Sequence, residues 1–283
     1  MKKILLITYY WNIEGSVGRL RWKNLIDEFI KLNYDISILT FGDRNRFYKE
    51  NNISIIERKI NNIPNLIASK FLNSFSRGVT DSSDSFLVRI LSWIRSNFYF
   101  PDGRVSFSKK NEDYVVKYIT KNNIKYLITS SPPHSIHLIG MKIKKRTEIK
   151  WISDFRDPYL NWDILLRMKP TYLSKKIHSY YQNLFLRSSD EIVVTNSQLK
   201  NEFKKVVDSN KIYLIHNGSD IKVSDNKIHK FKLSYFGLLN SFRDPKNLID
   251  ILDDMLSDNL KFRNLFQFSI FGNIQKSTVN YKI

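Results

Sequence analysis

Three short constellations in this sequence hold side chains able to do chemistry. The first is Gly15-Ser16-Val17-Gly18, followed by Arg19 and Arg21. Glycines between an apolar run and a helical pattern leave backbone N–H groups free where a strand ends, and such a turn favours an anion. A tight strand-to-helix turn also wants glycine for its dihedrals alone, so phosphate or sugar contact and a plain turn both fit. The turn is not the G-x-G-x-x-G dinucleotide fingerprint. Arg19 and Arg21 fall in the first helical turn, where cations oppose the helix dipole, which points to ligand contact rather than helix stability. The second constellation is Ser130-Ser131-Pro132-Pro133-His134. Small polar residues and prolines closing a strand place His134 at the carboxyl edge of a sheet, as a site residue or as a helix-entry residue without chemistry. The third is Asp154-Phe155-Arg156-Asp157-Pro158. An apolar strand running into these charges sets Asp157 or Arg156 toward the same crevice. An Arg–carboxylate pair could equally pin the loop, and such a pair can also position a catalytic carboxylate.

Composition narrows the classes. The 283 residues suffice for one large or two small domains, and 42% hydrophobic content gives ample core. Cysteine is absent, which excludes disulfides, thiolate zinc sites and a cysteine nucleophile, and fits a reducing cytoplasm. His134 and His137 are three apart, a spacing a helix could use for metal, but neither H-x-x-x-H nor H-x-H occurs. No metal and no cofactor are expected. The formal charge of +19 attracts nucleic acid, anionic lipid or phosphorylated substrates. The densest basic run is KIKKR at 142–146, and no nucleic-acid motif accompanies it, so nucleic acid is not an expected partner. No apolar stretch is long enough to span a bilayer. The run after Met1-Lys2-Lys3 stops at Thr8 with no cleavage site, so a cytoplasmic location is expected.

The elements that must position these residues follow from hydrophobic period. Residues 4–7 (ILLI) suit a parallel strand buried on both faces. Leu20, Trp22, Leu25, Ile26, Phe29 and Ile30 then recur at helical spacing. Strands are expected at 34–40, 53–56, 126–129, 151–152, 191–195 and 211–215, with helices around 114–119, 165–186 and from Asn196 to Val206. Residues 64–100 carry two basic, aromatic, amphipathic pieces around a polar hinge at 78–84. They either cover the sheet or lie against an anionic membrane. Residues 221–230 look like a linker, after which a strand at 232–236, a helix at 245–256 and a strand at 266–271 restart the pattern. The chain therefore reads as α/β, a Rossmann-like doubly wound parallel sheet over 1–228 and the start of a second such domain over 229–283.

Five pieces together resemble family 4 glycosyltransferases of the GT-B architecture. They are Tyr9-Tyr10-Trp11 with Gly15-Ser16-Val17-Gly18-Arg19; Ser130-Ser131-Pro132-Pro133; Asp154-Phe155-Arg156-Asp157-Pro158; Asn217-Gly218-Ser219-Asp220; and Tyr235-Phe236-Gly237 with Arg243-Asp244-Pro245. The resemblance implies two facing Rossmann-like domains and a retaining transfer of a sugar from a nucleotide-sugar to a glycan or lipid-linked acceptor. Cell-surface polysaccharide biosynthesis is the expected setting. The N-terminal domain would hold the acceptor and the C-terminal domain the donor. Gly15, Gly18 and Arg19 would approach the donor diphosphate, with Gly237, Arg243 and Lys246 opposite, so that backbone N–H groups and cations stabilise the departing charge without metal. Asp157, Arg156 and His134 would be the catalytic candidates. The family's donor domain continues into an acidic E-x7-E motif, which this chain lacks before Ile283. Donor binding is therefore expected to be impaired, and a non-catalytic acceptor- or partner-binding module is the alternative.

Overall fold

The structure, a computed structural model, describes residues 2–59, 86–161, 163–218, 231–237 and 243–272, with residues 239 and 274. These fall into two compact units, one holding the described residues up to 218 and the other those from 231 onward. The second amphipathic piece expected within 64–100 is a helix; the first, and the linker at 221–230, lie outside the described residues.

The N-terminal unit is built on an eight-stranded sheet of order β3-β4-β2-β1-β5-β6-β7-β8. Its strands are β1 (Lys2–Thr8), β2 (Tyr34–Gly42), β3 (Arg46–Glu50), β4 (Ile53–Lys59), β5 (Tyr126–Ser131), β6 (Lys150–Phe155), β7 (Glu191–Val194) and β8 (Ile212–Leu214). All pair in parallel except β3, which runs antiparallel to β4 at the edge. The helices are α1 (Val17–Lys31), α2 (Phe86–Phe98), α3 (Val105–Asn122), α4 (Ile136–Lys144), α5 (Asp163–Arg167), α6 (Tyr172–Ser188) and α7 (Ser197–Phe203).

Strand β1 shows why the apolar run is central. Leu5 and Ile7 enter one core with Phe107 and Val115 of α3, Ile139 of α4 and Phe185 of α6. Ile4 and Leu6 enter the other, with Trp22 and Ile26 of α1. Successive strand residues point to opposite faces, so a strand covered on both sides must be apolar throughout. Fully burying each such side chain contributes roughly 1.5–3 kcal/mol. Helix α4 packs closest: a Cβ at Gly140 would stand 2.2 Å from Trp151 Nε1 on β6, so only glycine admits the indole.

Two expected features differ. In α1 the buried stripe includes Gly18, Arg21, Trp22 and Ile26, while Leu20 is 56% exposed. The helical region expected over 165–186 is broken into α5 and α6, with Lys169 between them at φ 53°.

The second unit has β9 (Phe231–Phe236) paired in parallel with β10 (Phe266–Phe271). Helices α8 (Lys246–Asp258) and α9 (Leu260–Leu265) connect them. At the carboxyl ends the two strands meet closely: Gly237 N donates to Phe271 O at 2.9 Å. A Cβ on Gly272, at φ 149°, would stand 1.9 Å from Gly237 O, so glycine is required there on both conformational and steric grounds.

Candidate functional site at the carboxyl edge of the sheet

Strand order reverses at β1, which lies between β2 and β5. The crevice outside the carboxyl ends of strands at such a switch point is where open α/β sheets bind ligands. Four chain segments leave the sheet around this point: residues 9–16 after β1, 132–135 after β5, 156–159 after β6 and 215–218 after β8.

A buried polar network fastens this edge. Register sets Ser130 beside Asp154. Trp22 Nε1 donates to Ser130 Oγ at 2.7 Å, and Ser130 Oγ donates to Asp154 Oδ2 at 2.7 Å. Arg21 Nη2 donates to Asp154 Oδ1 at 3.1 Å, and both side chains are essentially excluded from solvent. Arg21 Nη1 reaches the carbonyls of Ile215 (3.0 Å) and His216 (3.2 Å) and Asn217 Oδ1 (3.1 Å). One guanidinium thus ties α1 to β6 and to the chain leaving β8. The Arg–carboxylate pair considered for the 154–157 loop exists, but Asp154 takes it with Arg21, not with Arg156.

The first-turn glycine has a specific use. Ser16 caps α1, its Oγ accepting from Arg19 N at 3.2 Å and donating to Tyr10 O at 3.1 Å. A Cβ on Gly18 would stand 2.1 Å from Arg156 Nη1 and 2.7 Å from its Cζ. The Arg156 guanidinium therefore lies directly on the bare backbone of the α1 turn. It is held there by donation from Nε to Ser131 O (2.9 Å) and from Nη2 to Pro132 O (3.4 Å). Gly15 has φ 71° and open space around it, so it serves the turn's dihedrals.

The remaining expected residues are distributed as follows. Asp157 is half-buried next to Arg156, and no hydrogen bond or ion pair engages its carboxylate among the described residues. Burial pushes that carboxyl's pKa up, opposed by Arg156 and reinforced by Asp154. Arg19 pairs with Glu50 at 3.3 Å and lies 5.7 Å from the Trp11 ring centroid. His134 is only 1% exposed, its ring 4.5 Å from that of Tyr159. Gly237, Arg243 and Lys246 belong to the second unit, where Gly237 follows β9 and Lys246 opens α8. The structure thus brings Gly18, Arg156 and Asp157 together at one edge, places His134 in the wall behind them, and leaves Arg19 on Glu50. Among the described residues no group of three or more His, Asp or Glu side chains converges to hold a metal ion. His137 instead shares a hydrogen bond with Thr129 Oγ1 at 2.8 Å.

The wall behind the site contains three histidines that burial keeps neutral. Desolvation lowers the His134 pKa to about 4, the His137 pKa well below its ordinary value, and the His178 pKa in the same direction. As pH falls below about 6.5 the unfolded chain takes up protons at these histidines while the folded chain does not. The unfolded state then binds more protons, so stability is full above pH 6.5 and declines toward pH 4. Asp157 contributes the opposite slope, but it is one group against three. The urea midpoint, followed by tryptophan fluorescence, is expected to fall steadily from pH 7 to pH 4.5, less steeply in His137→Leu. A midpoint unchanged between pH 7 and pH 5 would contradict this account.

The sequence offers Arg95 only as part of a basic amphipathic helix and does not mark Arg104; both act electrostatically on Tyr9 and Tyr10. Arg104 lies 5.1 Å from the Tyr9 ring centroid, and Arg95 Nε would be 3.1 Å from a Cβ on Gly103. Both lie far along the chain from the glycine turn, and nothing in their local spacing ties them to it.

No protein-family profile matches this chain, and no curated protein matches it. Solved structures do. The OtsA apo structure aligns with TM-score 0.55 and 8% identity, over 96% of this chain and 65% of that one. The α,α-trehalose 6-phosphate synthase from Burkholderia multivorans aligns with TM-score 0.53 and 7% identity, over 98% and 66%. The crystal structure of TarM aligns with TM-score 0.52 and 12% identity, over 96% and 72%. The chain thus spans just under two thirds of the length of the first two. At these identities the likeness shows the fold alone: a GT-B architecture, with a Rossmann-like N-terminal sheet followed by a much smaller second parallel sheet. Among the described residues no helix is long and apolar enough to cross a membrane.

Proposed function

We propose that this chain works in sugar transfer from a nucleotide-sugar donor to a glycan or lipid-linked acceptor, with the retaining course that its family 4 resemblance implies. The observation that carries the reading is the seat of Arg156 on the bare backbone of Gly18 at the switch point. A cation placed against a helix N-terminus opposes the helix dipole and is favourable when an anion joins both. The departing diphosphate of a nucleotide-sugar is such an anion, and preorganised N–H donors and a guanidinium lower the barrier to its departure. Asp157 stands beside Arg156 with a carboxylate free to meet a sugar hydroxyl. His134, sealed in the wall, positions the β5 exit rather than touching the sugar. Gly15, Arg19, Gly237, Arg243 and Lys246 are assigned to the donor side on the resemblance.

The test is calorimetric titration of UDP- and GDP-sugars into the full chain, followed by assay of sugar release. Binding tighter than millimolar with at least one of them supports transfer. Binding to none would sink it in favour of an acceptor- or partner-binding module. One observation favours that second reading: Phe236 and Phe271 stack at 4.9 Å while remaining largely exposed, as is Ile251 of α8. Apolar surface of this kind suits a covering partner.

A further inference from the structure

A concentration of positive charge lies at the opposite edge of the N-terminal sheet. Strands β5 to β8 pair in parallel, so their amino ends share one edge and their carboxyl ends the other. The chain reaches the amino edge at the end of α4, at the end of α6 just before β7, and at the turn just before β8. These three segments line an open cleft of about 500 Å³. Lys144 and Lys145 come from the first, Arg187 and Ser188 from the second, and Lys211 from the third. Met141 and Asp190 also line it.

Two ordinary uses of these cations take up only part of the charge. Lys144 pairs with Asp190, whose other oxygen accepts from Trp151 N at 2.8 Å, so the carboxylate in the cleft is committed. Lys144 and Arg187 fall in the last turns of α4 and α6, where a cation offsets about half a negative charge at a helix end. Four cations against one carboxylate and two helix ends leave a surplus of about two positive charges. Among the described residues no hydrogen bond or ion pair engages the side chains of Lys145, Arg187 or Lys211. Glu148, Glu191 and Asp208, the other carboxylates close along the chain, do not line the cleft. Glu191 is taken by Lys150, and Asp208 accepts from Asn210 N at 2.9 Å.

We propose that this amino-edge cleft is a second ligand site, one that binds a phosphate monoester. Such a group carries about −1.5 to −2 charges at pH 7 and three strong acceptor oxygens, which matches the surplus. Arg187 offers a guanidinium fork, Lys145 and Lys211 offer point charges, and Ser188 offers a hydroxyl. A cleft of this volume falls in the range that takes a whole small molecule rather than a bare ion, so the phosphate comes with an organic body. Met141 gives that body an apolar wall. The site is distinct from the carboxyl edge, where Arg156 sits on Gly18, and it does not rest on the transfer reading.

The experiment titrates glycerol 3-phosphate, and glycerol as its neutral counterpart, into the full chain at constant ionic strength. A second arm measures capture of phosphatidylcholine vesicles with and without phosphatidic acid. Both arms are repeated with Lys145→Gln, Arg187→Gln and Lys211→Gln. The controls are Lys110→Gln, at an exposed cation of α3, and Arg156→Gln at the other edge, with circular dichroism confirming folding. The expected result is saturable binding of glycerol 3-phosphate and none of glycerol. That binding should weaken about tenfold in Arg187→Gln, less in the two lysine variants, and not at all in the controls. Equal weakening in Lys110→Gln would show that the charge of the whole chain, not the cleft, attracts phosphate. Loss in Arg156→Gln alone would move the phosphate to the carboxyl edge, and either result overturns the proposal. So would the absence of glycerol 3-phosphate binding at about ten millimolar together with no capture of phosphatidic acid vesicles. Capture of those vesicles without glycerol 3-phosphate binding, lost in the same three variants, would uphold the phosphate site and assign its ligand to a lipid headgroup.

Discussion

Replacing Arg21 by alanine should destabilise the N-terminal unit by about 3–5 kcal/mol, the range for stripping one partner from a buried ion pair. The two side chains are 2% and 1% exposed, so water cannot take the place of the missing partner. The size should depend on which partner is removed. Without Arg21, Asp154 keeps only Ser130 Oγ as a donor to its carboxylate. Without Asp154, Arg21 still donates to Ile215 O, His216 O and Asn217 Oδ1. Asp154→Ala should therefore cost less than Arg21→Ala, although both remove the same pair. A double Arg21→Met, Asp154→Leu variant should recover a large part of the loss, since filling the space with apolar groups leaves no buried charge uncompensated. Urea unfolding followed by tryptophan fluorescence isolates the right unit, because Trp11, Trp22, Trp93, Trp151 and Trp162 all precede residue 163. An Arg21→Ala variant within about 1 kcal/mol of the parent would mean the network is not what holds α1 to the edge.

That network also shows where local pattern stops informing. Strand β1 was legible because a strand buried on both faces must be an apolar run, and β2, β5 and β7 keep enough apolar residues to read as strands although Asp35, Ser37 and Thr129 lie within β2 and β5. Strand β3 was not: RFYKE sits at the sheet edge with Phe47 exposed, so burial imposes no pattern on it. Helix α4 was read only as an entry beyond His134. Seven of its nine residues are buried, and a helix covered nearly all round shows no amphipathic period. At the site, the glycine turn and the Asp-x-Arg-Asp run announced themselves by composition. Their partners did not. Arg21 meets Asp154 across 133 positions and Ile215 across 194, separations that spacing arguments never sample. The sequence marks Arg21 for ligand contact and Leu20 for burial; in the fold Arg21 is the buried residue, paired with Asp154, and Leu20 is the exposed one. A charge displaces an apolar side chain from the buried stripe only when a carboxylate waits opposite, and that is a property of the assembled sheet.

Gly18→Ala should separate function from stability at the same edge. Alanine is favoured over glycine in a helix by about 1 kcal/mol, so the helix itself gains. The added Cβ would stand 2.1 Å from Arg156 Nη1, so the guanidinium must leave its seat and give up Ser131 O and Pro132 O. Arg156 is half-buried, and water can serve it once it swings outward, so these lost bonds weigh about as much as the helix gains. Net stability should stay within about 1 kcal/mol of the parent. Transfer should not: moving a charge-stabilising group by an ångström or more costs on the order of a hundredfold in rate. Arg156→Ala should lose a similar factor, and the double variant should lose no more than either single one, because both changes remove the same contact. Gly15→Ala should show the reverse profile. Its φ of 71° makes alanine strained by roughly 1–2 kcal/mol, yet no atom lies within reach of the new Cβ and Arg156 stays in place. Assaying sugar release and urea midpoint on these variants decides the matter. Parental turnover in Gly18→Ala would show that the seat of Arg156 is a packing arrangement and leave the diphosphate without its proposed partner in this unit.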